Sequence, residues 1–228
     1  MATVSIGRAG REAATDFYFN SLRFVPANVA WAAAVLAALF LATLWPPAAL
    51  LLVLAAAPLA GIHRLAALVA RGEPVSLSDF VDGVRRLGMR ATAVAAGAGV
   101  VGLVLATNLL SGFSGDGPLT WFVGATALWG LVVLAMALVA FWPVLADPHR
   151  EGASLRRQLQ LAGLVVIGQP VRLLALTLVI AGVTVASTVL LGAIVLFGIA
   201  YASLLATRWV LPAADELEAR YEAARAAR

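Results

Sequence analysis

The chain has 228 residues, of which 62% are hydrophobic and only 12% charged, with a mean hydropathy of +0.96 and a formal net charge of +4. About a quarter of the residues of a soluble domain are charged, so this composition excludes one and indicates an integral membrane protein. Absence of cysteine removes disulfides, thiolate nucleophiles and Cys-based metal sites.

All 16 basic residues are arginine, and they flank apolar runs. In that setting positive charge sets orientation and contacts anionic lipid headgroups; nucleic acid is not an expected partner.

The first 24 residues lack a continuous apolar core, so no signal peptide is expected. Residues 1–26 read as an N-terminal cytoplasmic or interfacial segment, in which Phe17, Tyr18, Phe19, Leu22 and Phe24 alternate with Asp16, Asn20 and Arg23. Pro26 opens a first span over residues 27–45, and Pro46-Pro47 ends it, because proline cannot continue the helical ladder and restrains the residue before it.

A second span covers residues 48–70, with His63 and Arg64 near its end. The longest polar interruption follows, within residues 61–90. Ser76 and Asp79 resemble a capping box, and Leu77, Phe80, Val81, Val84 and Leu87 recur at helical spacing. This predicts an 11-residue amphipathic helix on the membrane surface, with Asp82 and Arg86 paired at i,i+4 on its wet face.

Residues 91–110 form a third span rich in small residues. Gly97, Gly99 and Gly102 match the dinucleotide-binding spacing, but that fingerprint requires a preceding strand and a helix N-terminus, whereas these glycines lie mid-helix at bilayer depth. The rows Ala91, Ala95, Gly99 and Ala98, Gly102, Ala106 are expected to pack against another helix.

A turn around Asp116 leads to a fourth span, residues 119–146, with Trp121 and Trp142 near its two ends. Asp147-Pro148 closes it. A second amphipathic segment then carries Leu155, Leu159, Ala162 and Val166 on one face, echoing the first interruption.

Residues 173–207 are uncharged, which is about 52 Å as one helix and too long for a single crossing. Two helices turning near residues 187–192 place all the arginines on one side: three in the N-terminal segment, five from Arg64 to Arg90, four from Arg150 to Arg172 and four from Arg208 onward. The positive-inside rule then gives both termini to the cytoplasm.

The expected fold is therefore an all-α polytopic transmembrane bundle of six spans with two cytoplasmic amphipathic interfacial helices. The transmembrane domain covers residues 27–211. Residues 212–228 are a solvated helical tail with Glu216 and Arg220 at i,i+4.

No carboxylate pair, metal-binding motif, phosphate loop or nucleophile elbow is present, so no catalytic residue, cofactor or metal is assigned. The candidate interaction or anchoring residues are His63, Arg64, Arg71, Glu73, Asp79, Phe80, Arg85 and Arg86. Thr92, Thr107, Asn108, Thr177, Thr184, Ser187 and Thr188 are the groups available to line a solute path, which keeps a small transporter or channel as the alternative to a scaffold. A homo-oligomer also stays open.

Asn28 and Trp31, the run Gly61-Ile62-His63-Arg64, the triplet Arg71-Gly72-Glu73 and the triplet Ser78-Asp79-Phe80 carry a resemblance to a family. With these motifs the chain resembles the YesL-like bacterial membrane proteins, which share a domain of unknown function numbered 624, over residues 17–210 and most firmly over 24–95. The resemblance implies a multi-spanning plasma-membrane protein, often encoded beside carbohydrate ABC importers, whose subunits are then the expected partners. It implies no established activity.

Overall fold

The computed structural model describes residues 5–190 and 192–226. Residues 1–4 of the N-terminal segment, Leu191 in the expected turn and the last two residues of the tail lie outside the described residues. Among the described residues seven α-helices follow in order: α1 (Ile6–Leu44), α2 (Ala56–Arg71), α3 (Leu77–Ser114), α4 (Pro118–Ala146), α5 (Leu155–Gly168), α6 (Pro170–Val189) and α7 (Ile199–Ala226). A 3₁₀ helix, Pro46–Ala55, runs directly into α2, and a π-helical turn, Ile194–Gly198, runs directly into α7. Six of the resulting helical segments are long and apolar enough to cross a membrane. The chain is a multi-pass, all-α membrane protein.

Local chemistry explains the boundaries. Ser5 caps α1 by accepting from the Arg8 N–H, and Trp45, held extended by the following Pro46, ends it. Gly72 closes α2 at φ +76°, where its N–H donates to the Val69 carbonyl while Glu73 N–H donates to that of Leu68, a Schellman closure that favours glycine. Asp79 accepts from both the N–H and the hydroxyl of Ser76 at 2.7 Å, fixing the start of α3.

The amphipathic stretch Leu77–Leu87 does not stand apart as a surface helix. It forms the first three turns of the 38-residue α3 and continues without a break into the third span. Its Phe80 and Leu87 are buried while Leu77 and Val81 remain exposed. Packing against α2 supplies the reason, because Gly61 leaves room for the Phe80 ring and Gly83 for the Cβ of Arg64. The second amphipathic segment, α5, is a separate helix capped by Ser154.

Similarly, α1 passes through Pro26 and bends instead at Asn20 (φ −113°, ψ 15°), whose side-chain amide donates to the Asp16 carbonyl and so enters the helical ladder. Phe17 and Phe24 pack inward from this segment, while Tyr18, Phe19 and Leu22 face out.

α6 and α7 form a hairpin. Gly168, just before α6, lies against Leu217 of α7, while α6 ends at Val189 and the π-helical turn that opens α7 begins at Ile194. This is the two-helix solution for the long uncharged run.

Between residues 200 and 214, α7 is buried on nearly every side, with Leu204, Leu205, Trp209 and Val210 among Phe24 and Ala27 of α1, Ile62 and Leu65 of α2, and Phe141 and Val144 of α4. The core thus sits in the half of the bundle nearest the arginines. In the other half Phe40, Leu103, Val104, Leu119, Phe122 and Trp129 are exposed, as a surface facing lipid requires.

The small-residue rows only partly meet their expected role. Gly102 approaches Leu134 of α4, but a Cβ on Gly97 or Gly99 would meet nothing within 4 Å. Close crossings fall instead at Gly61 with Gly83, and at Gly112 with Gly124, where a Cβ on Gly112 would lie 2.4 Å from the Gly124 nitrogen.

Candidate functional site: a charged junction at one end of the bundle

The polar connections that the sequence places between spans converge on one charged junction. Its centre is Asp147, the first residue after α4, with a side chain fully buried. An isolated carboxylate in that position would be strongly disfavoured, and its oxygens are accordingly saturated. Arg71, the last residue of α2, donates to it through Nε at 3.2 Å and Nη2 at 2.6 Å; the Arg150 guanidinium and the His149 backbone N–H also donate.

The same two arginines reach α7. Arg71 Nη1 donates to Asp215 at 2.7 Å, and Arg150 donates to Asp215 and, at 3.0 Å, to Glu218. Arg157 of α5 extends the chain to Glu218 at 2.8 Å and Glu222 at 3.3 Å. Alternating charge thereby ties the ends of α2, α4, α5 and α7 together.

A second clamp lies beside it. Glu151 accepts from Arg86 of α3 at 2.8 Å and from Arg64 of α2 at 2.9 Å, and Arg64 also donates to the Ala146 carbonyl. The hydrogen bond from Arg86 holds the Glu151 carboxyl below the usual carboxylate range; partial burial opposes this and the Arg64 charge reinforces it. His149 lies 3.6 Å from Glu73, linking the loop after α2 to the segment after α4. Further along the bundle, Arg208 of α7 pairs with Asp16 of α1 at 2.6 Å.

These contacts locate each residue singled out in the sequence. Arg64, Arg71 and Arg86 belong to the junction, and Glu73 borders it. Asp79 caps α3, and Phe80 packs on Gly61. Arg85 is exposed, with no ion pair among the described residues. His63 is buried; its Nε2 lies 3.3 Å from the Ser203 hydroxyl and its ring is stacked 6.1 Å from that of Trp142.

Two expectations change. Arg86 bridges to Glu151 rather than pairing along its own helix with Asp82, because α3 packs beside α2 and brings the guanidinium within reach of the next polar segment. The tail is a helix continuous with the sixth span through Pro212, and it contains the expected Glu216–Arg220 pair, but its opposite face is docked rather than solvated.

The carboxylates on which the junction depends, Asp147, Glu151, Asp215 and Glu218, were missed as a set in the sequence. One signal was present: Asp215, Glu218 and Glu222 recur at spacings of three and four and so share one helical face. Asn28 was also missed as a structural contact. Fully buried, it donates from Nδ2 to the Val195 carbonyl at 3.1 Å and accepts at Oδ1 from the Ala200 N–H at 3.0 Å, bracketing the π-helical turn.

Chemically, this arrangement suits holding rather than proton transfer. Each junction carboxylate accepts from at least one guanidinium, so its lone pairs are engaged in fixed ion pairs. Among the described residues no group of three His, Cys, Asp or Glu side chains is placed to hold a metal ion. Compared with known proteins, the chain matches no family model, no curated protein and no solved structure.

Proposed function

We propose that the chain is a non-catalytic membrane scaffold whose charged end faces the cytoplasm and carries its partner contacts. The observation behind this reading is the saturation of the junction: Arg71 and Arg150 share Asp147 and Asp215 and so tie α2, the end of α4 and α7 together, which suits charges that fix a surface instead of meeting a substrate. The one-sided arginines supply the orientation and contact anionic lipid at that interface.

Carbohydrate ABC importer subunits are the partners in this reading, which here rests on the YesL-like resemblance alone. Co-purification in mild detergent, from cells grown on different sugars, tests it. An importer subunit should be retained; a lone homo-oligomer under every sugar would overturn the assignment. Cysteine labelling tests the orientation, with Ser78→Cys reacting only from inside and Ser114→Cys only from outside.

The transporter alternative has less support from the geometry. Thr107, Thr177, Thr184 and Thr188 donate to carbonyls four residues back in their own helices. They lie on two different helices, α3, packed on α2 and α4, and α6, packed on α4, α5 and α7.

A further inference from the structure

A groove of about 710 Å³ separates α5 from the tail half of α7. That volume falls within the range of small-molecule sites. Its walls are of two kinds. Leu164 and Ile167 of α5 form an apolar side, with Ile167 78% exposed, while Arg156, Arg157 and Glu222 form a charged side. α6 begins at Pro170, so the apolar end of the groove adjoins the point where the chain enters the membrane. From Arg156 to Ile167 the groove follows α5 for roughly 16 Å.

We infer that this groove seats an aminophospholipid of the surrounding leaflet, its phosphate on Arg156, its ammonium on Glu222 and the start of an acyl chain along Leu164 and Ile167. Charge complementarity selects the headgroup. Arg157 is already paired with Glu218 and Glu222, whereas Arg156 is exposed and has no ion pair among the described residues, leaving one cation for a phosphate. Glu222 is 65% exposed and is met by a single long contact of 3.3 Å, leaving carboxylate capacity for an ammonium.

Net charge over the lining is zero, with Arg156 and Arg157 balanced by Glu218 and Glu222, which matches a zwitterion better than an anionic lipid. Gly163 leaves space for the chain, since a Cβ there would meet nothing within 4 Å. The site is independent of the partner reading above.

The test titrates delipidated full-length protein with phosphatidylethanolamine, phosphatidylcholine and phosphatidylglycerol of identical acyl chains, read by native mass spectrometry. Phosphatidylethanolamine should occupy one site at about tenfold lower concentration than the other two, the effect of one charge-assisted contact that they lack. Soluble glycerophosphoethanolamine should not compete, because it lacks the chain.

Gly163→Leu projects a side chain into the groove from a position where a Cβ meets nothing within 4 Å, and should abolish the site. Arg156→Ala should weaken binding of all three lipids, and Glu222→Gln should erase only the preference for the amine. Thermal melting checks that each variant is folded. Equal occupancy by the three lipids, a preference for phosphatidylglycerol, competition by the soluble headgroup, or occupancy unchanged by Gly163→Leu would each overturn the proposal.

Discussion

Arg71 and Asp147, 76 residues apart, meet at the ends of α2 and α4 with Nη2 2.6 Å from Oδ2, and the aspartate is wholly buried. Arg150 holds the same carboxylate from the other side. Removing one arginine leaves Asp147 a cationic partner; removing both strands a buried charge. Arg71→Met and Arg150→Met should therefore each cost about 1–2 kcal/mol, one charged hydrogen-bonding group apiece. The double variant should lose more than the sum, with a stranded charge costing about 3–5 kcal/mol. Adding Asp147→Leu should recover much of that loss. Thermal melting in a single detergent measures all four, and strictly additive losses would show that the two arginines do not share Asp147.

The crossing of α2 and α3 makes a steric prediction. A Cβ on Gly61 would lie 2.7 Å from the Phe80 ring and 2.8 Å from its carbonyl oxygen, and one on Gly83 would lie 2.8 Å from the Arg64 Cβ. Backbone and Cβ atoms cannot swing aside, so Gly61→Ala and Gly83→Ala should each destabilise by about 1–3 kcal/mol, in the range of overpacking. Gly97→Ala, in open space on α3, should be neutral or slightly stabilising because alanine favours helix. Equal melting temperatures for all three variants would refute the close crossing.

These two features divide what the sequence reveals from what it conceals. Hydropathy located the six spans, the proline and glycine punctuation located most helix ends, and the one-sided arginines located the charged end. All of that is local or cumulative information. The partner of Arg86 was not local: a helical neighbour, Asp82, was available, and Glu151 prevailed only because α3 packs along α2. The docked tail and the Gly61–Gly83 crossing were hidden for the same reason, since each depends on which helices become neighbours. In the lipid-facing half apolar residues cover every face of a helix, so periodicity does not tell packed sides from lipid-facing ones.

Glu151 makes the second clamp sensitive to acid. Its carboxyl is held below the ordinary range in the folded protein by the hydrogen bond from Arg86 and by Arg64. A depressed folded value means that the stabilisation is present above the ordinary glutamate value of about 4.3 and is lost as the pH falls through the lower folded value. Melting temperature followed downward from pH 6 should drop faster in the native protein than in Glu151→Gln, which lacks the clamp at every pH. Parallel curves for the two proteins would remove Glu151 from the acid response.

Asn28 sets the geometry at the start of α7. Its amide satisfies both the Val195 carbonyl and the Ala200 N–H, groups at the π-helical turn, from a fully buried position on α1. No water is available within the bilayer to replace those bonds. Asn28→Leu is similar in size and removes both, so it should cost about 1–2 kcal/mol, the upper end for interhelical polar contacts in membranes. Asn28→Asp keeps the acceptor for Ala200 but loses the donor to Val195, and placing a carboxyl at that depth should make it no better than Asn28→Leu. Hydrogen exchange in nanodiscs gives a local readout that global stability does not: the Ala200 amide should exchange faster in Asn28→Leu, while amides near Trp209, deep in the core of α7, keep their protection. Unchanged exchange at Ala200 would mean that the turn holds itself, and that Asn28 only fills space between α1 and α7.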